Sequence, residues 1–116
     1  MSGAAAYRSG LAAEACVARH YERAGCPIAG RRWRGASGEI DLIARDGTGL
    51  IFVEVKKARS FARAAERFGL RQLSRICAAA TEFLAGEPGG QLTPMRIDLA
   101  LVDATGRVEI RQNITV

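Results

Sequence analysis

Gly38-Glu39-Ile40-Asp41-Leu42-Ile43-Ala44 is followed by Asp46-Gly47-Thr48-Gly49 and then by Leu50-Ile51-Phe52-Val53-Glu54-Val55-Lys56. The middle segment has the composition of a tight turn, and the run after it is apolar and β-branched, so the flanks read as the two strands of a hairpin. Symmetric folding about the turn pairs Asp46 with Gly49 and, counting outward, Asp41 with Glu54 and Glu39 with Lys56. The four charged side chains then share one face, while Ile40, Leu42, Ile51, Val53 and Val55 line the other and pack on a core. Opposed Cβ atoms lie about 4.5–5.5 Å apart, and two carboxylates so placed repel unless something compensates them. A divalent cation is a natural compensator, because Mg²⁺ takes carboxylate oxygens at about 2.0–2.1 Å and fills its shell with water and phosphate oxygen.

Lys56 projects toward the same pocket, where an ammonium orients or activates an attacking water or stabilises charge on an attacked phosphate. Only Lys56 and Lys57 are lysines in this chain, and all the other basic residues are arginines. Against that bias a lysine beside the carboxylates is informative, since arginine does not readily lose a proton. The same spacing also suits a plain salt-bridged hairpin, with Glu39–Lys56 as a cross-strand pair and Asp41 beside Glu54 in solvent. Spacing alone leaves the two readings open.

Working outward, residues from Ser9 to about Ala24 carry Leu11, Ala15 and Ala18 at helical spacing and stop at Gly25-Cys26-Pro27. Pro27 to Arg34 reads as an irregular edge strand. From about Ala62 to Leu84 the apolar stripe of Leu73, Ile76, Cys77, Ala80, Phe83 and Leu84 predicts one longer helix, ended by the glycines around Pro88. Met95–Asp103 alternates, and Val108, Ile110 and Ile114 mark a final strand. The order is α-β-β-β-α-β-β, an α/β fold with a central mixed sheet flanked by helices. The 116 residues suffice for one domain with one core, residues 1–8 being a flexible N-terminus.

A net charge of +5 from 17 basic and 12 acidic residues favours an anionic partner, nucleic acid or an acidic membrane surface. No run approaches the ~20 apolar residues of a membrane span, and Arg8, Glu14 and Arg19 interrupt what would be a signal-peptide core. Cys16, Cys26 and Cys77 form no paired motif, which fits a reduced cytoplasmic protein. Arg63, Arg67, Arg71 and Arg75 recur every four residues and would follow a nucleic-acid backbone, or form a solvated helix face. Arg31, Arg32 and Arg34 surround Trp33, which either stacks on an unpaired base or packs at the sheet edge. Lys57 and Arg59 extend the basic series just after Lys56. His20 reads as structural.

Gly38-Glu39-Ile40-Asp41-Leu42-Ile43-Ala44 with Phe52-Val53-Glu54-Val55-Lys56 resembles the YraN-like family of small bacterial proteins. That family looks like a branch of the PD-(D/E)xK restriction-endonuclease-like nucleases and is similar to archaeal Holliday-junction resolvases. The likeness covers nearly the whole chain, including Glu14, Arg71-Gln72 through Ala79-Ala80, and Arg96-Ile97-Asp98. It implies a restriction-endonuclease-like fold in which Asp41 and Glu54 hold Mg²⁺ or Mn²⁺ and Lys56 serves the water. Glu39 and Gln72 are further candidates at the centre, and Glu14, set among inward positions of the first helix, is a third candidate metal ligand. The implied reaction is hydrolysis of DNA, including branched DNA, and cutting both strands of a junction calls for two sites and hence a symmetric homodimer. Single-stranded DNA and RNA remain open as substrates. The alternative is a non-catalytic nucleic-acid-binding module assisting recombination or repair, and a third class is a purely structural interaction protein.

Overall fold

The structure, a computed structural model, describes residues 3–115. Helix α1 (Gly3–Arg23) leads into strands β1 (Ile28–Arg34), β2 (Glu39–Asp46) and β3 (Gly49–Lys57). Helices α2 (Phe61–Glu66) and α3 (Leu70–Leu84) and a single 3₁₀ turn (Gly90–Leu92) then lead to β4 (Met95–Val102) and β5 (Val108–Arg111). The sheet runs β1-β2-β3-β4-β5, with β3 and β4 parallel and every other neighbour antiparallel. This is the expected mixed α/β architecture in the expected order, with the second helical segment delivered as two helices. No described helix is long and apolar enough to cross a membrane.

The hairpin turn forms where its composition places it, with Gly47 at φ 59°, a left-handed conformation that costs glycine nothing. β3 is central, and Leu50, Ile51, Phe52 and Val53 are buried on both of its faces. α1 covers one face, packing Ala13, Val17, Ala18 and Tyr21 against Leu42, Ala44, Ile51, Val53, Ala100 and Val102. α3 covers the other with Ile76, Ala79, Ala80 and Leu84 over Ile43, Leu50, Phe52 and Ile97, and α2 sets Ala64 on Leu99 and Leu101. Each large apolar side chain so buried contributes about 1.5–3 kcal/mol.

Three expectations are corrected. Residues 3–8, expected as part of a flexible N-terminus, are helical: the alanines there are the strongest helix formers, and Tyr7 lies under the Arg32 guanidinium, 5.0 Å from ring centroid to Cζ. Residues 1–2 lie outside the described residues. The single long helix expected over 62–84 breaks at Arg67–Gly69. Ser60 caps α2, and Arg67 and Phe68 close it with short bonds to Ala64 and Ala65. Phe68 then packs into the core, and extended Gly69 starts α3. Finally, Ile40 does not share the α1 face with Leu42 but packs under α3, so regular alternation fails across Asp41.

One buried acid ties α1 to the sheet. Fully buried Asp98 on β4 accepts from Tyr21 Oη at 2.7 Å, Arg96 Nε at 3.0 Å and the Asn113 N–H at 3.0 Å. Burial and the adjacent carboxylate hold the Tyr21 phenol well above its ordinary pKa, so it remains a donor at any pH the fold survives. Asp98→Ala is expected to cost about 3 kcal/mol, because it strands a buried hydroxyl and a half-buried guanidinium. Urea unfolding measures this, and a loss below about 1 kcal/mol would mean that water replaces the carboxylate.

Candidate active site

The centre is made where two strands part. β2 keeps the expected register on β3 from Asp46↔Gly49 to Leu42↔Val53. Beyond that point β3 stays with parallel β4 as far as Lys57↔Val102, while β2 stays with β1 through Trp33↔Ile40 and Arg34↔Glu39. The expected ladder pairs Asp41–Glu54 and Glu39–Lys56 therefore do not form. Instead the Asp41 carboxylate reaches across the opening, and its Oδ2 accepts the Val55 N–H at 2.8 Å. That bond takes up a donor at the point where the ladder has ended, and it carries Asp41 to Glu54 by a side chain rather than by backbone pairing.

Asp41 and Glu54 nevertheless meet, with their carboxyl groups within hydrogen-bonding reach of one another. Burial first, and then the Asp41 hydrogen bond and charge, push the Glu54 pKa up to about 9 against the smaller opposing effects of Lys56 and the Val55 N–H. With its pKa raised in this way, Glu54 keeps its proton at neutral pH beside the Asp41 carboxylate. Two carboxyl groups brought together beside an ammonium offer hard oxygen donors, which suit a hard divalent cation better than a soft metal.

Lys56 does not reach Glu39. With the Gln72 amide oriented by its neighbours, the side-chain nitrogen donates to the Arg67 carbonyl at 2.8 Å and the oxygen accepts from Lys56 Nζ at 2.9 Å. The opposite orientation offers only a 3.3 Å bond from the Gly69 N–H and faces the ammonium with another donor. Gln72, in the first turn of α3, thus aims the lysine. Glu39 pairs with Arg34 at 3.2 Å and sits with Glu54, Gln72 and Arg75 around a cleft of about 140 Å³.

Glu14 comes near Asp41 from α1 but is turned to Arg32, whose Nε donates to it at 2.9 Å. Burial raises the Glu14 pKa, Arg32 opposes that, and the Asp41 and Glu39 charges raise it further. Among the described residues no three His, Cys, Asp or Glu side chains are grouped as a metal site. Arg32 occupies the β1 position between Arg31↔Leu42 and Trp33↔Ile40, across from Asp41, with φ 50°. A left-handed arginine costs of order 1–3 kcal/mol, and here its ion pair to Glu14 and its seat on Tyr7 hold it.

The structure divides the other cations. Arg32 and Arg34 are occupied by Glu14 and Glu39, and Arg31 is exposed on the outer strand. The helix break separates Arg63 and Arg67 from Arg71 and Arg75, so the four do not line one flank. Lys57, Arg59, Arg63 and Arg67 cluster beyond Lys56, whereas Arg75 borders the carboxylate cleft and Arg71 is exposed. Trp33 packs edge-on against Phe83 with centroids 5.4 Å apart, which is core packing and not a base platform. His20 sits edge-on to Tyr21.

Sequence reasoning passed over Arg32 as the partner of Glu14, the Val55 N–H as the anchor of Asp41, and Glu82. Glu82, on α3, accepts from the Ala36 and Ser37 N–H groups at 2.8 and 2.9 Å and pins the turn before Glu39. Backbone amides leave no mark on residue type, so only the low-complexity turn Gly35-Ala36-Ser37-Gly38 hinted at an outside partner.

Fold and site together define a class: an α/β protein with a helix-flanked mixed sheet, whose carboxylate pair lies where two central strands separate. The profile of the Uncharacterised protein family UPF0102 matches residues 13–102, and the chain belongs to that family. It is 63% identical over 113 residues to a UPF0102 protein of Cereibacter sphaeroides (strain ATCC 17029 / ATH 2.4.9), covering 97% of each chain. A UPF0102 protein of Ruegeria pomeroyi is 64% identical over 105 residues, spanning 90% of this chain and 85% of the relative. One of Roseobacter denitrificans is 53% identical over 112 residues, spanning 97% and 87%. The resemblance to YraN-like bacterial proteins read from the hairpin accords with this membership.

Proposed function

We propose that the protein is a metal-dependent endonuclease of the restriction-endonuclease-like kind, hydrolysing phosphodiester bonds in DNA. The observation that carries this reading is the meeting of Asp41 and Glu54 at the parting of β2 and β3, with Lys56 beside them. Asp41 and Glu54 would hold Mg²⁺ or Mn²⁺, which when bound supplies a Lewis acid to a phosphate oxygen. The Val55 N–H keeps the Asp41 carboxylate turned into the opening, and Glu54 would give up its proton when the pair acts as a dianion. Gln72 steadies the Lys56 ammonium, which orients the attacking water and offers positive charge to the phosphate. Lys57, Arg59, Arg63 and Arg67 neutralise phosphates of the strand leading to that point.

The test is cleavage of labelled duplex, single-stranded and four-way-junction DNA with Mg²⁺, Mn²⁺ or EDTA. Cutting that requires the metal and stops in EDTA is expected, with the substrates ranked by rate. Salt-sensitive binding without cutting under any of these conditions would replace the nuclease by a binding module. Absence of any salt-sensitive affinity would remove both.

A further inference from the structure

We propose that the cavity between α1 and the end of β3 receives one unpaired nucleotide of the substrate strand, next to the phosphate under attack. This rests on the nucleic-acid reading of the site and adds to it the substrate feature that is recognised. The cavity measures about 610 Å³, within the ~300–1,000 Å³ typical of small-ligand sites, and Lys56 forms part of its wall.

Its two sides differ in chemistry. On one stand Lys57, Arg59 and Arg67, none of which makes an ion pair among the described residues, whereas Arg32, Arg34, Arg45, Arg96, Arg107 and Arg111 all do. No described carboxylate lines the cavity. On the other side α1 presents only the small residues Ala6, Ser9 and Gly10. A cationic wall suits a phosphate, and a shallow small-residue wall admits the flat face of a base. A base inside a duplex is stacked and paired, so only an unpaired or extruded nucleotide enters such a space.

Gly10 supplies an independent argument. A glycine inside a helix is destabilising relative to alanine, yet a Cβ built on Gly10 meets nothing within 4 Å. Packing within the chain therefore does not require glycine there, and a small residue at this position keeps the cavity wide. Through the Arg67 carbonyl and the Gln72 amide the same wall connects to Lys56, so a nucleotide seated there abuts the residue serving the phosphate.

The probe is a fluorescent DNA hairpin bearing an unpaired 3′ tail, compared with the same hairpin made blunt, with anisotropy read in EDTA so that no cutting intervenes. The native protein is expected to prefer the tailed hairpin. Gly10→Leu should bind it at least tenfold more weakly and lose the preference, while Ala12→Leu, on the exposed side of the same helix, should stay within about twofold of native. Gly10→Ala should melt a few degrees higher than native, showing that the position tolerates a side chain. Equal affinity for tailed and blunt hairpins, or a Gly10→Leu protein that binds the tail as native does, overturns the proposal. Because binding is read without metal, a failed cleavage assay beside an intact Gly10→Leu effect removes the hydrolysis and leaves the nucleotide cavity standing.

Discussion

Glu54→Gln is expected to melt roughly 8–16 °C above the native protein at pH 8 while losing Mn²⁺ binding and metal-dependent cleavage by at least about 10³-fold. The stability change follows from linkage. Glu54 has its folded pKa raised from 4.5 to about 9, so between those values the native state keeps a proton that the unfolded chain releases. Stability is therefore fully present at acid pH and falls as pH rises through that window. Glutamine has no proton to lose, so the gap between variant and native protein opens from near zero at pH 5 toward its largest value near pH 9. At 1.36 kcal/mol per unit the shift sets an upper bound, and relaxation around a partly hydrated group brings the gain at pH 8 to about 2–4 kcal/mol.

The same proton is expected to make Mn²⁺ affinity of the native protein climb about tenfold per pH unit below 9, because binding would expel it. Thermal melts across pH and calorimetric Mn²⁺ titrations in two buffers read both effects. A Glu54→Gln protein no more stable than native at pH 8 would show that Glu54 does not keep its proton in the folded state. A carboxylate site that gives up stability in this way and would regain it on binding a cation fits the pattern of function opposed to stability.

Replacing Lys56 with methionine keeps the aliphatic stem and removes the charge, and should lower the cleavage rate constant by about 10²–10⁴ while leaving Mn²⁺ affinity within about threefold. Arginine at the same position should not rescue the rate. Its fork does not duplicate the point contact that Gln72 makes with the ammonium. Gln72→Ala frees the lysine without discharging it, so its effect should be smaller and should appear in the rate constant more than in KM. Single-turnover kinetics at saturating metal separate these cases. Cleavage by Lys56→Met within about threefold of native would assign the lysine to the phosphate track instead of the chemistry.

Much of this fold is local in origin and so is legible along the chain. The Asp46–Gly49 turn sets the register of β2 on β3, and each later pair as far as Leu42↔Val53 follows from the turn alone. The five strands, the first helix and most of α3 likewise follow from period and punctuation in residue type. What neighbours in sequence do not specify is which long-range partner wins. β3 is recruited along its whole length by β4, some forty residues later, and β2 is held back by β1, so the hairpin opens at Asp41. The carboxylates that symmetric pairing would have set opposite one another are brought together by a side chain spanning that opening. Likewise burial of Phe68 interrupts a helix whose periodicity runs unbroken, and Glu14 claims an arginine that by spacing alone belonged to a basic cluster. Turns and alternation are written in each residue's own dihedral and solvation preferences, whereas the opening, the meeting of Asp41 with Glu54 and the cavity beside Lys56 exist only once distant segments compete for the same partners.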